Sequence, residues 1–248
     1  MKKQTGFTLI EIMIALLLGL IVVGSTIAIY IISIRGSTDV IRSARLNHDM
    51  DSALALMIND IRRAGYWGGA IAGADSRDNP FTQNDTNLQI VSANCLLYTY
   101  DTNGNGANTL QNTADDVDNN EYYGFRLANG AIQMRLSCDP SAGACNDNDD
   151  DDTWETINIT QGSEQVDITN LTFTESYKCL RKRLNEADQS FDTTCAAAIT
   201  AGNIIADDRV LETREITIGM SGRVNRDQAV TKTASGRVKI RNDRIFTQ

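Results

Sequence analysis

A single carboxylate within an apolar segment is the feature of this chain whose chemistry most needs an explanation. Glu11 is the only charged residue between Phe7 and Ile34, and it follows a Gly6–Phe7 junction. An ionised carboxylate near the centre of a membrane costs about 3 kcal/mol on insertion scales, so such groups usually have a partner and a function. The position of Glu11 therefore predicts an ion-pairing role.

A second group of side chains has the spacing of metal ligands. Asp101, Asn103 and Asn105 present oxygen atoms at alternate positions with a glycine at the sixth, as at the start of a calcium-binding loop. The twelfth position is Asn112 instead of glutamate, so the loop is not an EF-hand. Two interpretations remain open, a looser calcium cage and a polar hairpin loop without metal, and we expect no other cofactor.

The acidic residues of the chain are concentrated around this loop. Residues 101–152 contain eleven Asp and Glu side chains against two arginines. A run of like charges usually belongs to a solvated loop. We therefore interpret the cluster at 147–152 as solvated loop in preference to a second metal site.

Residue types that are scarce in this chain exclude several classes of function. Its only histidine is His48, which weighs against Ser-His-Asp or Cys-His catalysis and against a zinc site. The sequence has no phosphate-binding glycine-rich loop and no dinucleotide fingerprint. A formal net charge of −9 also disfavours nucleic-acid binding. We expect a protein that is not an enzyme and that binds no nucleic acid.

The apolar segment that contains Glu11 is long enough to cross a membrane. As a helix, residues 7–34 would span about 42 Å, compared with about 30 Å of hydrocarbon. Lys2 and Lys3 precede the segment, so the positive-inside bias predicts a cytoplasmic N-terminus and translocation of the chain after Arg35. A cleaved secretory signal would have a shorter apolar core, and a plain anchor would not explain Glu11.

The N-terminal segment resembles the class III signal of type IV pilins and their relatives. That signal has a short basic leader, Gly, Phe, three mostly apolar residues, Glu and a long apolar run, and every position is present here. The resemblance implies that prepilin peptidase cleaves between Gly6 and Phe7 and that the new Phe7 amine is N-methylated. It also implies that Glu11 docks subunits by facing a neighbour's Phe7 amine, because an ammonium neutralises a carboxylate in low dielectric.

Residues 37–64 keep helical spacing beyond the membrane segment. An apolar stripe with intervals of three and four residues runs along this stem, and Gly65 follows it as a stop signal. The stripe predicts that the stem packs on the chain's own head. Its members are Leu46, Met50, Leu54, Met57 and Ile61.

The sequence at the end of the stem resembles one group within the type IV pilin family. Residues 60–68 read Asp-Ile-Arg-Arg-Ala-Gly-Tyr-Trp-Gly and resemble the helix end of PilW-type minor pilins, as do the shorter stretches 170–173 and 237–242. The pseudopilin J subunits of type II secretion share this plan and remain a close alternative. Many relatives carry a cysteine after the Tyr-x-Gly, whereas Gly69 and Ala70 stand here. The family's disulfide pattern is therefore not transferred to this chain.

The region after the stem has the pattern of a β-rich domain. Apolar and polar residues alternate in 123–127 and 132–136 on either side of Asn129-Gly130, which predicts a hairpin with a type I′ turn. Further strands are predicted at Leu88–Val91, Leu96–Tyr100, Thr156–Thr160, Val166–Phe173, Arg214–Met220 and Arg237–Ile240.

Together these segments predict an α+β fold of the type IV pilin kind, in which a long N-terminal helix packs on a β-rich globular head. The predicted parts are a leader peptide at 1–6, a transmembrane and filament-core helix at 7–34, an amphipathic stem helix at 35–65 and a periplasmic head domain at 66–248.

All five cysteines lie in this head, on the oxidising side of the membrane. The sequence leaves several pairings open. Local closure favours Cys138 with Cys145 and Cys179 with Cys195, with Cys95 as a buried thiol.

Two classes of function follow. The resemblance implies a minor pilin that initiates type IV pilus assembly near the filament tip, with a type II secretion pseudopilin as its close alternative. Its implied partners are other minor pilins, the major pilin, prepilin peptidase, the inner-membrane assembly platform and, as a further candidate, a large tip adhesin. It would be a single-pass inner-membrane protein before it enters the pilus at the cell surface.

The other class is a membrane-tethered periplasmic binding module, which would require a convergent pocket.

Overall fold

The structure is a computed structural model that describes residues 6–68, 75–83, 86–104, 117–138, 153–157, 166–225 and 227–248. Two compact units are present, one extending to Arg45 and the other comprising Leu46–Gln248. The arrangement is α+β, with a long apolar N-terminal helix and a β-rich head, so the predicted fold class is confirmed.

Helix α1 extends from Leu9 to Ile61. In its first part the large apolar side chains up to Ile34 are all at least 43% exposed. This helix is long and apolar enough to cross a membrane, and none of its apolar window is buried. Soluble monomers rarely expose apolar patches of this size, so the surface is suited to lipid or to packing against other apolar surfaces.

Within the second unit, α1 buries one face against the head. Four residues of the predicted stripe, Leu46, Met50, Met57 and Ile61, are at most 1% exposed, and Leu54 packs against the same core while partly buried. The helix then tightens into turns in which Ala64 donates to the carbonyl of Ile61 at 3.1 Å.

Gly65 follows the helix with φ of 74°, a left-handed conformation in which glycine is favoured. Its amide donates to the carbonyl of Thr99 at 2.8 Å, so the helix end is fixed to a strand.

The first sheet of the head is an antiparallel meander in the order β1-β2-β3-β4-β5. Asn129 and Gly130 both have positive φ between β3 and β4, as a type I′ turn requires. The predicted hairpin is therefore confirmed, while the prediction at 156–160 falls largely outside the described residues. The strands are β1 Gln89–Ser92, β2 Cys95–Thr99, β3 Tyr122–Ala128, β4 Ala131–Ser137 and β5 Thr153–Thr156.

The second sheet contains three strands, β6, β8 and β9, that are much longer than the alternation predicted. Strand β8 pairs with β6 on one side and with β9 and β10 on the other, and β7 pairs with the end of β6. A short helix α2, Cys195–Thr200, lies between β7 and β8. The strands are β6 Val166–Lys182, β7 Gln189–Phe191, β8 Arg209–Val224, β9 Asp227–Lys239 and β10 Arg244–Thr247.

The main core lies between the stem and the two sheets. It includes the buried face of α1, apolar residues of β2 to β4 such as Phe125 and Ile132, and apolar residues of β6 and β8 such as Leu171 and Ile216. Burial of one such side chain contributes about 1.5–3 kcal/mol, so the head and the Leu46–Ile61 part of the helix form one folded body.

Candidate functional site

Thr8 and Glu11 form reciprocal hydrogen bonds at the start of α1. The Thr8 amide and hydroxyl donate to Oε2 of Glu11 at 2.8 and 2.9 Å, and the Glu11 amide donates to Oγ1 of Thr8 at 3.4 Å. This is a capping box, in which the residue before the helix and its third residue satisfy each other's amides. The Glu11 carboxylate is therefore directed back towards the N-terminal end of the helix.

The predicted cleavage junction lies directly before this cap. Gly6 and Phe7 precede the helix, both are exposed, and Phe7 is 85% exposed. The structure thus places Gly6, Phe7 and Glu11 at the N-terminal end of α1. Residues 1–5 of the predicted leader lie outside the described residues.

The predicted calcium loop is described only in part, because Asn105 lies outside the described residues. Both oxygens of Asp101 accept backbone hydrogen bonds, from Gly68 at 3.0 Å and Gly104 at 2.7 Å, and the residue is 2% exposed. The side-chain amide of Asn103 donates a hydrogen bond to Oδ2 of Asp118 at 3.2 Å. Within the described part of the chain no cluster of three acidic, His or Cys side chains could hold a metal. Asp101 thus fixes a turn.

The structure contains a disulfide between Cys179 and Cys195, with Cα atoms 5.6 Å apart. It joins β6 to α2 inside a small apolar cluster with Ala198, Ile204 and Val210. Cys138 is also disulfide-bonded, and its predicted partner Cys145 lies outside the described residues. Cys95 retains a buried thiol.

Two family profiles match the sequence. The profile described as the prokaryotic N-terminal methylation motif matches residues 1–27. The profile described as prepilin peptidase-dependent protein B matches residues 39–240, which is more than half of the chain. The chain belongs to the prepilin peptidase-dependent protein B family. Neither a curated protein nor a solved structure matches it.

Membership in the prepilin peptidase-dependent protein B family agrees with the geometry of the N-terminus. The methylation motif covers the Gly6–Phe7 junction, the capping box and the apolar part of α1 as far as residue 27, whereas the family profile covers most of the stem and almost all of the head. The protein is thus type IV pilin-like, as the sequence resemblance implied, and carries a signal of the kind that prepilin peptidase processes.

The head of this prepilin peptidase-dependent protein B family member also contains a buried charge network. Arg214 lies 3.6 Å from Glu175 and 3.4 Å from Glu212, and it donates to the carbonyl of Leu88 at 2.9 Å. Arg244 lies 3.6 Å from Glu212 on the other side. Burial raises the pKa of Glu175 and lowers that of Arg244.

This network joins β6, β8 and β10 to the segment before β1. The adjoining cavity has a volume of about 10 Å³, room for at most one water molecule, so it cannot hold an organic substrate. We interpret the network as a structural element of the head.

Thr8 is the site residue that the sequence analysis did not single out. The signal was present, because Thr8-Leu9-Ile10-Glu11 has the Thr-x-x-Glu spacing of a capping box directly before an apolar run. Glu11 is thus both a lone charge in an apolar segment and a local hydrogen-bond acceptor for Thr8.

Proposed function

We propose that this protein is a minor pilin of the PilW type that helps to initiate type IV pilus assembly and lies near the filament tip. The observation that carries the proposal is the position of Glu11, the only carboxylate in the exposed apolar part of α1 up to Ile34, which is directed towards the end that cleavage would convert into a free amine.

The mechanism follows from charge balance in a low-dielectric environment. Cleavage after Gly6 leaves an ammonium on Phe7, and a carboxylate on a neighbouring helix is its natural counter-ion because both charges are costly when unpaired in lipid. In the proposed filament, Glu11 of one subunit meets the Phe7 amine of the next. The exposed apolar side chains of α1 then pack among the helices of neighbouring subunits.

In this proposal the chain performs no catalytic step. It is anchored in the inner membrane with its head in the periplasm and later becomes part of the filament at the cell surface. Its partners are the other minor pilins, the major pilin, the assembly platform and a large tip adhesin, and prepilin peptidase is the enzyme that acts on it. The disulfide between Cys179 and Cys195 supports a head that matures in an oxidising compartment.

The experiment combines intact mass with filament recovery. In cells with active prepilin peptidase we expect the mature chain to begin at methylated Phe7, and in cells without it to retain its leader. The mature chain should then be recovered in sheared pili. A leader that remains in cells with active peptidase would contradict the proposal. If deletion of the gene abolishes protein secretion and leaves pili intact, the pseudopilin is the correct function.

A further inference from the structure

Strand β9 presents a long edge that no other described strand covers. It pairs with β8 along one side, from Lys239 to Asp227, and the described residues contain no strand on its other side. The edge includes ten residues from Val230 to Lys239, or about 33 Å of extended backbone. Unpaired edges of this length are templates for the addition of another strand.

The alternation of backbone hydrogen bonds along β8 and β9 shows which amides of β9 face away from the sheet. Ile240 donates to the carbonyl of Arg214 at 3.0 Å, so even-numbered residues of β8 face β9. The backbone groups of odd-numbered residues of β8 face β6. For example, the carbonyl of Gly219 accepts a hydrogen bond from the hydroxyl of Thr172 on β6 at 3.3 Å. Because the backbone groups of a strand alternate in direction, the outward-facing amides of β9 belong to Thr231, Thr233, Ser235, Arg237 and Lys239.

The side chains of this edge are basic in a chain that is otherwise acidic. No Asp or Glu occurs from Gln228 to Arg241, whereas four basic residues do. Lys232 is already bound to Asp51 of the stem at 2.7 Å, but Arg237 is 75% exposed and only distantly paired with Glu215 at 3.9 Å. Charge complementarity therefore favours an acidic segment as the added strand.

The direction of β9 argues against a symmetric pairing of this edge between two copies of the chain. Lys232 contacts Asp51, and a Cβ on Gly236 would lie 2.6 Å from Ile58, so β9 and the stem advance in the same direction. A symmetric pair of β9 edges would be antiparallel and would direct the two stems oppositely. Two stems that rise from one membrane cannot adopt that arrangement.

We propose that the outward edge of β9, from Thr231 to Lys239, accepts an acidic extended segment of a neighbouring, different pilin-type subunit, which joins the second sheet as a further strand. The backbone supplies the affinity and Arg237 supplies the charge preference, as in other cases of strand addition. This inference rests on the proposed function, because a neighbouring pilin-type subunit is present only if the chain enters a filament.

The decisive variant is Ser235→Pro in the full chain, with Ser235→Ala as its matched control. Proline removes an outward amide and leaves the ladder to β8 intact, a position at which edge strands tolerate it. We expect recovery of Ser235→Pro in sheared filaments to fall about tenfold, with leader removal and membrane level unchanged and Ser235→Ala normal. Arg237→Glu, which leaves the backbone unaltered, should also reduce recovery, and Arg237→Lys should not.

A photo-reactive benzoylphenylalanine at Thr233 identifies the occupant in the same cells. A crosslink to a different subunit that carries a prepilin-type signal supports the inference. A crosslink to a second copy, or to a protein without such a signal, overturns it. Equal filament recovery of wild type, Ser235→Pro and Arg237→Glu also overturns it and indicates that the basic side chains only protect the edge from aggregation. If wild type itself never enters filaments, the proposed function fails instead.

Discussion

The hydroxyl of Tyr100 donates a hydrogen bond of 3.0 Å to Oδ1 of Asp60, and this bond fixes the last turn of α1 to the residue that follows β2. Tyr98 donates to the other oxygen of the same carboxylate, and the Arg63 guanidinium lies 4.0 Å from the Tyr100 ring centre. Burial and the nearby Asp60 raise the pKa of both tyrosines, so their hydroxyls remain donors.

Removal of this carboxylate should loosen the helix from the head. We expect Asp60→Ala to reduce the free energy of unfolding by about 2–3 kcal/mol and Tyr100→Phe by about 1 kcal/mol, because the first leaves two buried donors without an acceptor. The double variant should lose less than the sum of the two. Denaturant unfolding of the full chain in detergent measures these values, with the exposed neighbour Asn59→Ala as a near-neutral control.

Replacement of Glu11 should separate membrane insertion from assembly. We expect Glu11→Ala to be inserted and cleaved normally, because a charge has been removed from the span, but to be depleted from sheared filaments because a neighbour's Phe7 ammonium lacks its counter-ion. Immunoblots of membrane and filament fractions give both readouts. Thr8→Ser, which preserves the cap, serves as control, and wild-type recovery of Glu11→Ala in filaments would contradict the docking role.

Asp101 should stabilise the head without calcium. We expect Asp101→Ala to reduce the free energy of unfolding by about 1–3 kcal/mol, because the amides of Gly68 and Gly104 lose their acceptor. The exposed Asn103→Ala should change it by less than about 0.5 kcal/mol. Melting curves with calcium and with chelator should coincide for all three chains. A calcium-dependent shift in wild type that Asp101→Ala abolishes would restore the metal interpretation.

Asp208 should give the head a dependence on acid pH. Arg183 donates to its two oxygens at 2.7 and 2.8 Å, and these hydrogen bonds lower the pKa of Asp208 from 3.8 to about 2. A lowered carboxyl pKa contributes stability that is complete above the unfolded value and disappears as pH falls through the folded value.

The difference in melting temperature between wild type and Asp208→Asn should therefore shrink as pH falls from about 4 to about 2. The matched control is Asp207→Asn, the same replacement at the exposed neighbour. If the difference in melting temperature stays constant across this pH range, the negative charge of Asp208 does not contribute to stability.

The disulfide between Cys179 and Cys195 should be a structural contributor. It closes a loop with a sequence separation of 16, so the double replacement Cys179→Ala with Cys195→Ala should cost about 2–4 kcal/mol. Thiol titration of the denatured, unreduced chain should find a single thiol, that of Cys95. A count of five thiols would show that the head matures without disulfides.

Local patterns predicted the parts of the fold that local physics determines. The Asn129-Gly130 turn was predictable because only certain residues tolerate two successive positive φ values. The stripe from Leu46 to Ile61 was predictable because the stem packs one face on one core.

The misses involve residues whose environment is set by distant segments. Glu212 and Arg214 occupy the same buried face of β8 as Ile216. In the sequence alone, two charged residues beside an apolar strand indicate an exposed strand end, because charged side chains are rarely buried without partners. Their partners come from Glu175 and Arg244, which no local pattern connects. Asp60 is a similar case, because its two donors, Tyr98 and Tyr100, lie 38 and 40 residues away in the sequence.

The exposed apolar surface of α1 has a consequence for the energetics of polymerisation. When such a helix moves from lipid into a bundle of similar helices, its side chains exchange one apolar environment for another, so the hydrophobic effect favours neither state strongly. The free-energy difference between the two states is then determined by the few polar groups on the helix, above all Glu11, and by contacts between heads. The free energy of assembly through this helix would therefore depend mainly on the pairing of Glu11 and on the head contacts, and only weakly on the amount of apolar surface that the helix carries.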